Sequence, residues 1–186
     1  VDCDTLWVKA TGGEGSEGMD SKTSITVERG EIALYCFDDC MSATNQIVVN
    51  GGRMYCYSSD NDGMDSNGTV EIHGGQVIAI GAPGTEEGID YELDGFAVTG
   101  GTVVAVGGEP SLPSMETSLQ NSVSYSGTAS EGQVVYVQNA VGENVLMYQI
   151  PRDFDTMHVL LCGSSLVTGE VYLSLIHISE PTRQEA

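Results

Sequence analysis

The stretch Ser58 to Val77, SSDNDGMDSNGTVEIHGGQV, places Asp60, Asp62 and Asp65 within six positions, with no cation among them. It is one copy of a recurring unit: SEGMDSKTSITVERGEI begins at Ser16, DDCMSATNQIVVNGGRM at Asp38 and EEGIDYELDGFAVTGGTV at Glu86. Anchored on the glycine of the acidic loop (Gly18, Gly63, Gly88, with Cys40 in its place once), the copies lie 22, 23 and 25 residues apart. The closing glycines Gly30, Gly52, Gly75 and Gly101 recur at 22, 23 and 26. Such a period marks stacked supersecondary units, none of which buries its apolar face alone. The opening VDCDTLWVKA reads as the second half of a further unit, with Val1 and Asp2 where Met19 and Asp20 stand.

Each unit carries two alternating runs. In the first, Leu6/Val8, Ile25/Val27, Ile47/Val49, Val70/Ile72 and Phe96/Val98 are separated by mostly polar neighbours, the period of a strand buried on one face. The second follows the glycine corner, in EIALYCF, RMYCYS, QVIAIG and TVVAVG, and stacks Ile32, Met54, Val77 and Val103 in one column. Cys56 falls in the column of Leu34, Ala79 and Ala105 and reads as a small core residue. Glycine at the corner supplies positive φ without a Cβ clash. A third short segment brings one apolar residue per unit: Val1, Met19, Met41, Met64 and Ile89. Three segments per turn, about 22 to 26 residues per coil, predict an all-β right-handed parallel β-helix.

Side chains alternate along an extended segment, so an inward Met or Ile turns the next residue outward, giving the column Asp2, Asp20, Ser42, Asp65 and Asp90. Three residues earlier runs a second column, Glu17, Asp39, Asp62 and Glu87, acidic in every copy. Rungs lie about 4.8 Å apart, where two unit charges repel by roughly 1 kcal/mol in water and more near protein. The ladder therefore asks for a cation. Clustered carboxylates in Gly- and Asn-rich loops suit Ca²⁺, which takes six to eight oxygen ligands, and we assign Glu17, Asp20, Asp39, Asp62, Asp65, Glu87 and Asp90 as candidate ligands. A solvated acidic edge is the competing reading. The formal net charge of -21, with 19 of the 27 acids in residues 1–109 against four bases, sets aside nucleic acid and anionic membranes as partners. With no long apolar run, we expect no membrane insertion and a monomer.

The copies EGMDSKTSITVERG, NDGMDSNGTVEIHGGQVIAIG and EEGIDYELDGFAVTGGTVVAVGG resemble the secreted bacterial carbohydrate-binding β-helix family related in shape to pectate and polygalacturonate lyases. The likeness covers residues 1–109 and extends towards 172, where LLCGSSLVTGEVY is similar to the segment closing such proteins. It implies a right-handed β-helix, bound calcium, an extracellular or cell-surface location, and binding of acidic or plant-type polysaccharide. Cys40, Met41 and Ser42 depart from the family's Gly, apolar, Asp pattern and break the ladder at that rung.

Three functions compete. A calcium-dependent polysaccharide-binding module leads. A calcium-dependent pectate-type lyase would need a basic side chain to remove the proton beside a uronate carboxylate, and Lys22, two residues after Asp20, is the weak catalytic candidate, with charge compensation its simpler role. A structural or adhesin solenoid is third. Flat rings that could meet sugars are Trp7, Tyr35, Tyr57 and Tyr91, with Trp7 expected among Thr26, Val48, Glu71 and Ala97.

The repeat stops after VGGEPSLPS. The runs GQVVYVQN, ENVLMYQI and MHVLLCG read as antiparallel strands, forming a β-rich C-terminal cap over 110–172 that covers the open end of the solenoid at the Ile80/Val106 column. Residues 173–186, LSLIHISEPTRQEA, resemble a translated sequencing adapter and read as a non-native tail. Residues 1–109, starting inside a unit, read as N-terminally truncated coils. The five cysteines follow no framework spacing; burial is their expected role, with a Cys36 to Cys40 or inter-coil disulfide as the alternative.

Overall fold

The computed structural model describes residues 1–92 and 95–177. Among them every regular element is a strand. Three parallel sheets wind into a solenoid. The first holds the long strands β1 (Asp2–Ala10), β4 (Arg29–Cys36), β7 (Arg53–Ser58), β10 (Gln76–Ile80) and β13 (Thr102–Gly107). The second holds the three-residue strands β2 (Met19–Ser21), β5 (Met41–Ala43), β8 (Met64–Ser66) and β11 (Ile89–Tyr91), and the third β3 (Ser24–Val27), β6 (Gln46–Val49), β9 (Thr69–Ile72) and β12 (Phe96–Val98).

The sequence columns are the structural columns. Ile32, Met54, Val77 and Val103 pair in series, as do Ile25, Ile47, Val70 and Phe96. All but Ile25 and Met54 of these eight are at most 2 % exposed, and together with Met41, Met64 and Ile89 they fill one continuous core. Cys56 does lie between Leu34 and Ala79.

The first segment is shifted from its expected place. Leu6 pairs with Ile32 and Val8 with Leu34, so β1 belongs to the first sheet, and Asp2 lies opposite Arg29 instead of heading the Asp20 column. A period of two fits either sheet equally well, and what discriminates is strand length and the small residue closing the run: Ala10 pairs with Cys36, which pairs with Ser58.

Corner glycines carry the stacking. Gly30, Gly52, Gly75 and Gly101 all have positive φ, and each presses on the corner before it: a Cβ on Gly75 would stand 2.5 Å from the Gly52 carbonyl oxygen, and one on Gly101 2.6 Å from that of Gly75.

At β13 the parallel order ends. β17 (Phe154–Gly163) pairs antiparallel with β13, and β14 (Ser122–Ala129) antiparallel with β17. β15 (Val134–Gln138), β16 (Asn144–Gln149) and β18 (Leu173–His177) form a separate antiparallel sheet. The three runs expected to be antiparallel are β15, β16 and β17, whereas β14 escaped notice because its serines leave few apolar residues. Ile80 and Val106 share a buried cluster with Val135, Val137, Ile150 and Phe154, so cap residues pack on the column expected. That sheet also takes in Leu173–His177, beyond the boundary drawn at 172; the rest of the adapter-like segment lies outside the described residues.

Gly75→Ala is expected to lower the melting temperature more than Gly84→Ala. Both have positive φ, costing on the order of 1–2 kcal/mol for a residue with Cβ, but the Gly84 Cβ meets nothing within 4 Å. Calorimetry of the two variants checks this, and equal losses would show that corner stacking adds nothing.

Candidate functional site

Two surfaces emerge from the stacking, one acidic and one aromatic. The acidic one follows the second sheet. Asp20, Ser42, Asp65 and Asp90 pair rung by rung, with Met41, Met64 and Ile89 buried beside them. The earlier column is tied into the backbone: Asp39 Oδ1 accepts from the Asp62 N–H at 3.0 Å, and Asp62 Oδ1 from the Glu87 N–H. These acids are not a solvated edge throughout, since Asp39 and Asp62 are only 6 % and 7 % exposed.

Burial sets their chemistry. Desolvation disfavours the ionised form, and neighbouring carboxylates add to it, raising Asp39 to about 7, Asp62 to about 8, Asp65 to about 6 and Glu87 to about 7. Glu87 Oε2 is buried with no hydrogen-bond partner. Among the described residues no three His, Cys, Asp or Glu side chains converge as a metal-binding group. Glu17 stands one rung before Asp39, its neighbour Gly18 donating to the Asp39 carbonyl. Lys22 Nζ lies 3.0 Å from Asp20 Oδ2 with most of its side chain exposed, and the Asp20 hydrogen bond and charge raise its pKa. That is the direction away from a general base.

The aromatic surface is the outer face of the first sheet. Because β1 lies there, Trp7 is in line with Ala33, Tyr55, Ile78 and Val104, not with Thr26, Val48, Glu71 and Ala97. The next outward column is Lys9, Tyr35, Tyr57 and Ile80, so Tyr35 and Tyr57 do share a column. Tyr35 stacks at tilted angles on Tyr55 and Tyr57, with ring centroids 5.5 and 6.3 Å away. Tyr91 lies apart, on the second sheet against Phe96, its hydroxyl donating to the Leu112 carbonyl.

The cap covers half of this face. Val104 and Val106 are buried with cap residues, and Tyr55, Tyr57 and Ile78 are partly covered. Tyr148 of β16 packs on the same cluster as Tyr55, and burial pushes the Tyr55 phenol up to about 12. Arg152 donates to the carbonyls of Ser58 and Ser59 at 3.1 and 2.8 Å and covers the Tyr57 ring at 5.1 Å. The other half stays open. Trp7, 63 % exposed, and Tyr55 wall a groove of about 400 Å³ floored by Ala33, with Thr5, Glu31 and Arg53 along its polar side. Arg53 Nη1 stands 3.4 Å from Glu31 Oε1, both side chains exposed.

Ala33 gave no signal in the sequence, and neither Tyr55 nor Arg53 was assigned there to a sugar-binding surface. The register of β1 is what reveals them, and the small residue ending that strand was the available signal.

A family model described as a carbohydrate-binding domain-containing protein matches residues 5–63, less than half of the chain. No curated protein and no solved structure matches.

The raised carboxyls tie stability to pH. Their folded pKa values exceed the ordinary 3.8 to 4.5, so the folded state holds more protons; the stabilisation is complete below about pH 4 and is lost as pH rises through about 6 to 8. In chelator, the melting temperature is expected to fall over that interval. Asp39→Asn and Asp62→Asn, which keep the acceptor oxygen, should flatten the fall and melt higher at pH 8, by about 2–4 °C for each kcal/mol. A flat wild-type profile would mean the ladder is ionised without cost.

Proposed function

We propose that this chain is a polysaccharide-binding module whose sugar-binding surface is the open half of the first sheet. The observation that carries the reading is the run Trp7, Ala33, Tyr55 on successive rungs. A pyranose ring has an apolar C–H face and a polar rim. Aromatic rings supply large apolar contact at little conformational cost, and a few directed polar groups fix orientation. Trp7 and Tyr55, two rungs or roughly 10 Å apart along the sheet, leave room over Ala33 for a sugar between two aromatic walls. Thr5, Glu31 and Arg53 then face its hydroxyls. All six of these residues fall inside the segment that the carbohydrate-binding family model matches.

The distribution of charge favours an acidic glycan. Of the described bases, Lys9, Arg29 and Arg53 lie on strands of the first sheet and Arg152 on the cap segment against it. In a chain of net charge -21, this is the face where a uronate polymer meets cations. Arg53 can present a second guanidinium edge to a carboxylate while facing Glu31, the geometry that suits paired recognition.

Calcium is the second element of the proposal. Its support is the orphaned Glu87 Oε2 and the raised carboxyls of Asp39, Asp62, Asp65 and Glu87. Asp62 and Glu87 would supply ligands to the ion in place of the protons that burial favours on them, with Asp65 and Asp90 of the adjoining column reached through water in the hard-oxygen shell that Ca²⁺ requires. Bound there, it would neutralise the ladder and add a Lewis-acidic charge. Binding is favoured over cleavage because Lys22 is kept protonated by Asp20. An exported, cell-surface bacterial setting agrees with this substrate.

Affinity electrophoresis in gels containing polygalacturonate, and in gels containing a neutral β-glucan, tests the proposal. Trp7→Ala and Tyr55→Ala are expected to weaken retention about tenfold, or about 1.4 kcal/mol, while Arg53→Gln weakens only the acidic polymer. Retention of neither polymer by the native chain would leave a structural solenoid as the better reading. An unsaturated product from polygalacturonate, lost in Lys22→Ala, would establish a lyase. Chelator separates the calcium contribution from that of the groove.

A further inference from the structure

The one coil that departs from the repeat does so with a thiol. The acidic-loop glycine is packed so closely that it tolerates no side chain: a Cβ on Gly63 would stand 2.5 Å from the Gly88 carbonyl oxygen and 2.7 Å from the Ile80 nitrogen, and one on Gly88 2.6 Å from the Val106 nitrogen. At the same place the second coil carries Cys40, fully buried, its sulfur 3.6 Å from the Leu34 carbonyl oxygen. Two further cysteines lie close by. Leu34, whose carbonyl the Cys40 thiol touches, pairs with Cys56 on β7 of the next coil and stands two residues before Cys36 at the end of β4, and a Cβ on Gly18 would meet both the Cys40 carbonyl oxygen and the Cys36 sulfur within 3 Å. Both neighbours are at most 1 % exposed.

This trio has no role in the sugar groove or the acid ladder. Among the described residues it forms no metal-binding group. Nor does repeat geometry explain it, because the other coils place Gly18, Gly63 and Gly88 at the position of Cys40. A side chain introduced into a position packed for glycine, beside two further buried thiols, is the arrangement from which a disulfide can form.

We propose that Cys40 is the obligate partner in one buried disulfide, formed with Cys56 or Cys36 under oxidising conditions. All three cysteines are free thiols in this structure. With oxidised glutathione as the oxidant, two thiols give up two protons and two electrons, one S–S bond forms, and the glutathione disulfide is reduced to two glutathione thiols. The third cysteine of the trio keeps its S–H beside the new bond, in position for exchange. A Cys40 to Cys56 bond would lock the second coil to the third and close the longer loop, which constrains the unfolded chain more than the four-residue span from Cys36. All three side chains are closed off from solvent in the folded chain, so the bond is made while the coils stack, before the sulfurs are sealed. Cys3 and Cys162 take no part: Cys3 lies on β1 beside Gly30, and Cys162 pairs across the sheet with Val103.

The test refolds the full chain with oxidised glutathione, then alkylates it in denaturant and measures intact mass and non-reduced peptides. Three of the five cysteines are expected to be alkylated, with Cys40 in the cross-linked peptide and a melting temperature that drops on adding reductant. Cys40→Gly, which restores the repeat's own residue, should give five minus one, four free thiols, and no reductant sensitivity; Cys40→Ser provides the same readout should the glycine variant not fold. Cys3→Ser and Cys162→Ser should retain the cross-link. Full alkylation of all five in the refolded native chain, or a cross-link that survives loss of Cys40, overturns the proposal.

Discussion

The structure depends on one constraint: every coil must hydrogen-bond in register with the coils on either side. Parallel pairing puts like positions directly above one another, so whatever one coil places at a position, its neighbours must accommodate. Where the position is apolar the outcome is a column of buried Val, Ile, Leu and Met. At the corner, the outcome is glycine, because a Cβ at Gly75 would collide with the carbonyl of Gly52. Where the position is a carboxylate, repulsion is built in. Asp39 and Asp62 offset part of it by accepting a backbone N–H from the following rung, and burial raises these carboxyls with Asp65 and Glu87 towards their neutral form.

The same constraint separates the faces of the solenoid by chemistry. The second sheet is narrow, three residues to a strand, and its corner collects acids. The first sheet is wider, with outward columns headed by Thr5, Trp7 and Lys9 between inward ones headed by Leu6 and Val8, and it bears Trp7, Tyr35, Tyr55 and Tyr57 together with Lys9 and Arg53. The cap decides how much of that face remains available. By packing on Ile80, Val104 and Val106 and holding Ser58 and Ser59 through Arg152, it seals one end of the sheet and turns Tyr55 into the inner wall of a groove whose outer wall is Trp7. Lateral separation of acids and aromatics lets a chain with a large negative charge offer a surface suited to a sugar polymer.

Much of this was legible from the residues. The period, the three segments per turn, the inward columns, the corner glycines and the acid columns all follow from local pattern, because a repeat that stacks on itself writes each contact several times over. The exceptions are the places where the pattern occurs once. β1 has a period of two and no corner glycine before it, so Leu6 and Val8 fit the Ile25/Val27 column as well as the Ile32/Leu34 column, and Trp7 was placed among the wrong neighbours. β14, rich in Ser, has too little apolar alternation to stand out.

The sequence by itself determined a stacked all-β solenoid and its two acid columns, since these rest on periodic identity and on the alternation of an extended chain. Only the tertiary structure decided which acids are buried, that Asp39 and Asp62 bond to the next rung, that Trp7 faces Tyr55 across Ala33, and that Cys36, Cys40 and Cys56 are buried in one core around Leu34. Each of these depends on the register between coils or on where the cap comes to rest. Register and docking are set by the summed packing of residues distant in sequence, a sum that no single stretch of the chain contains.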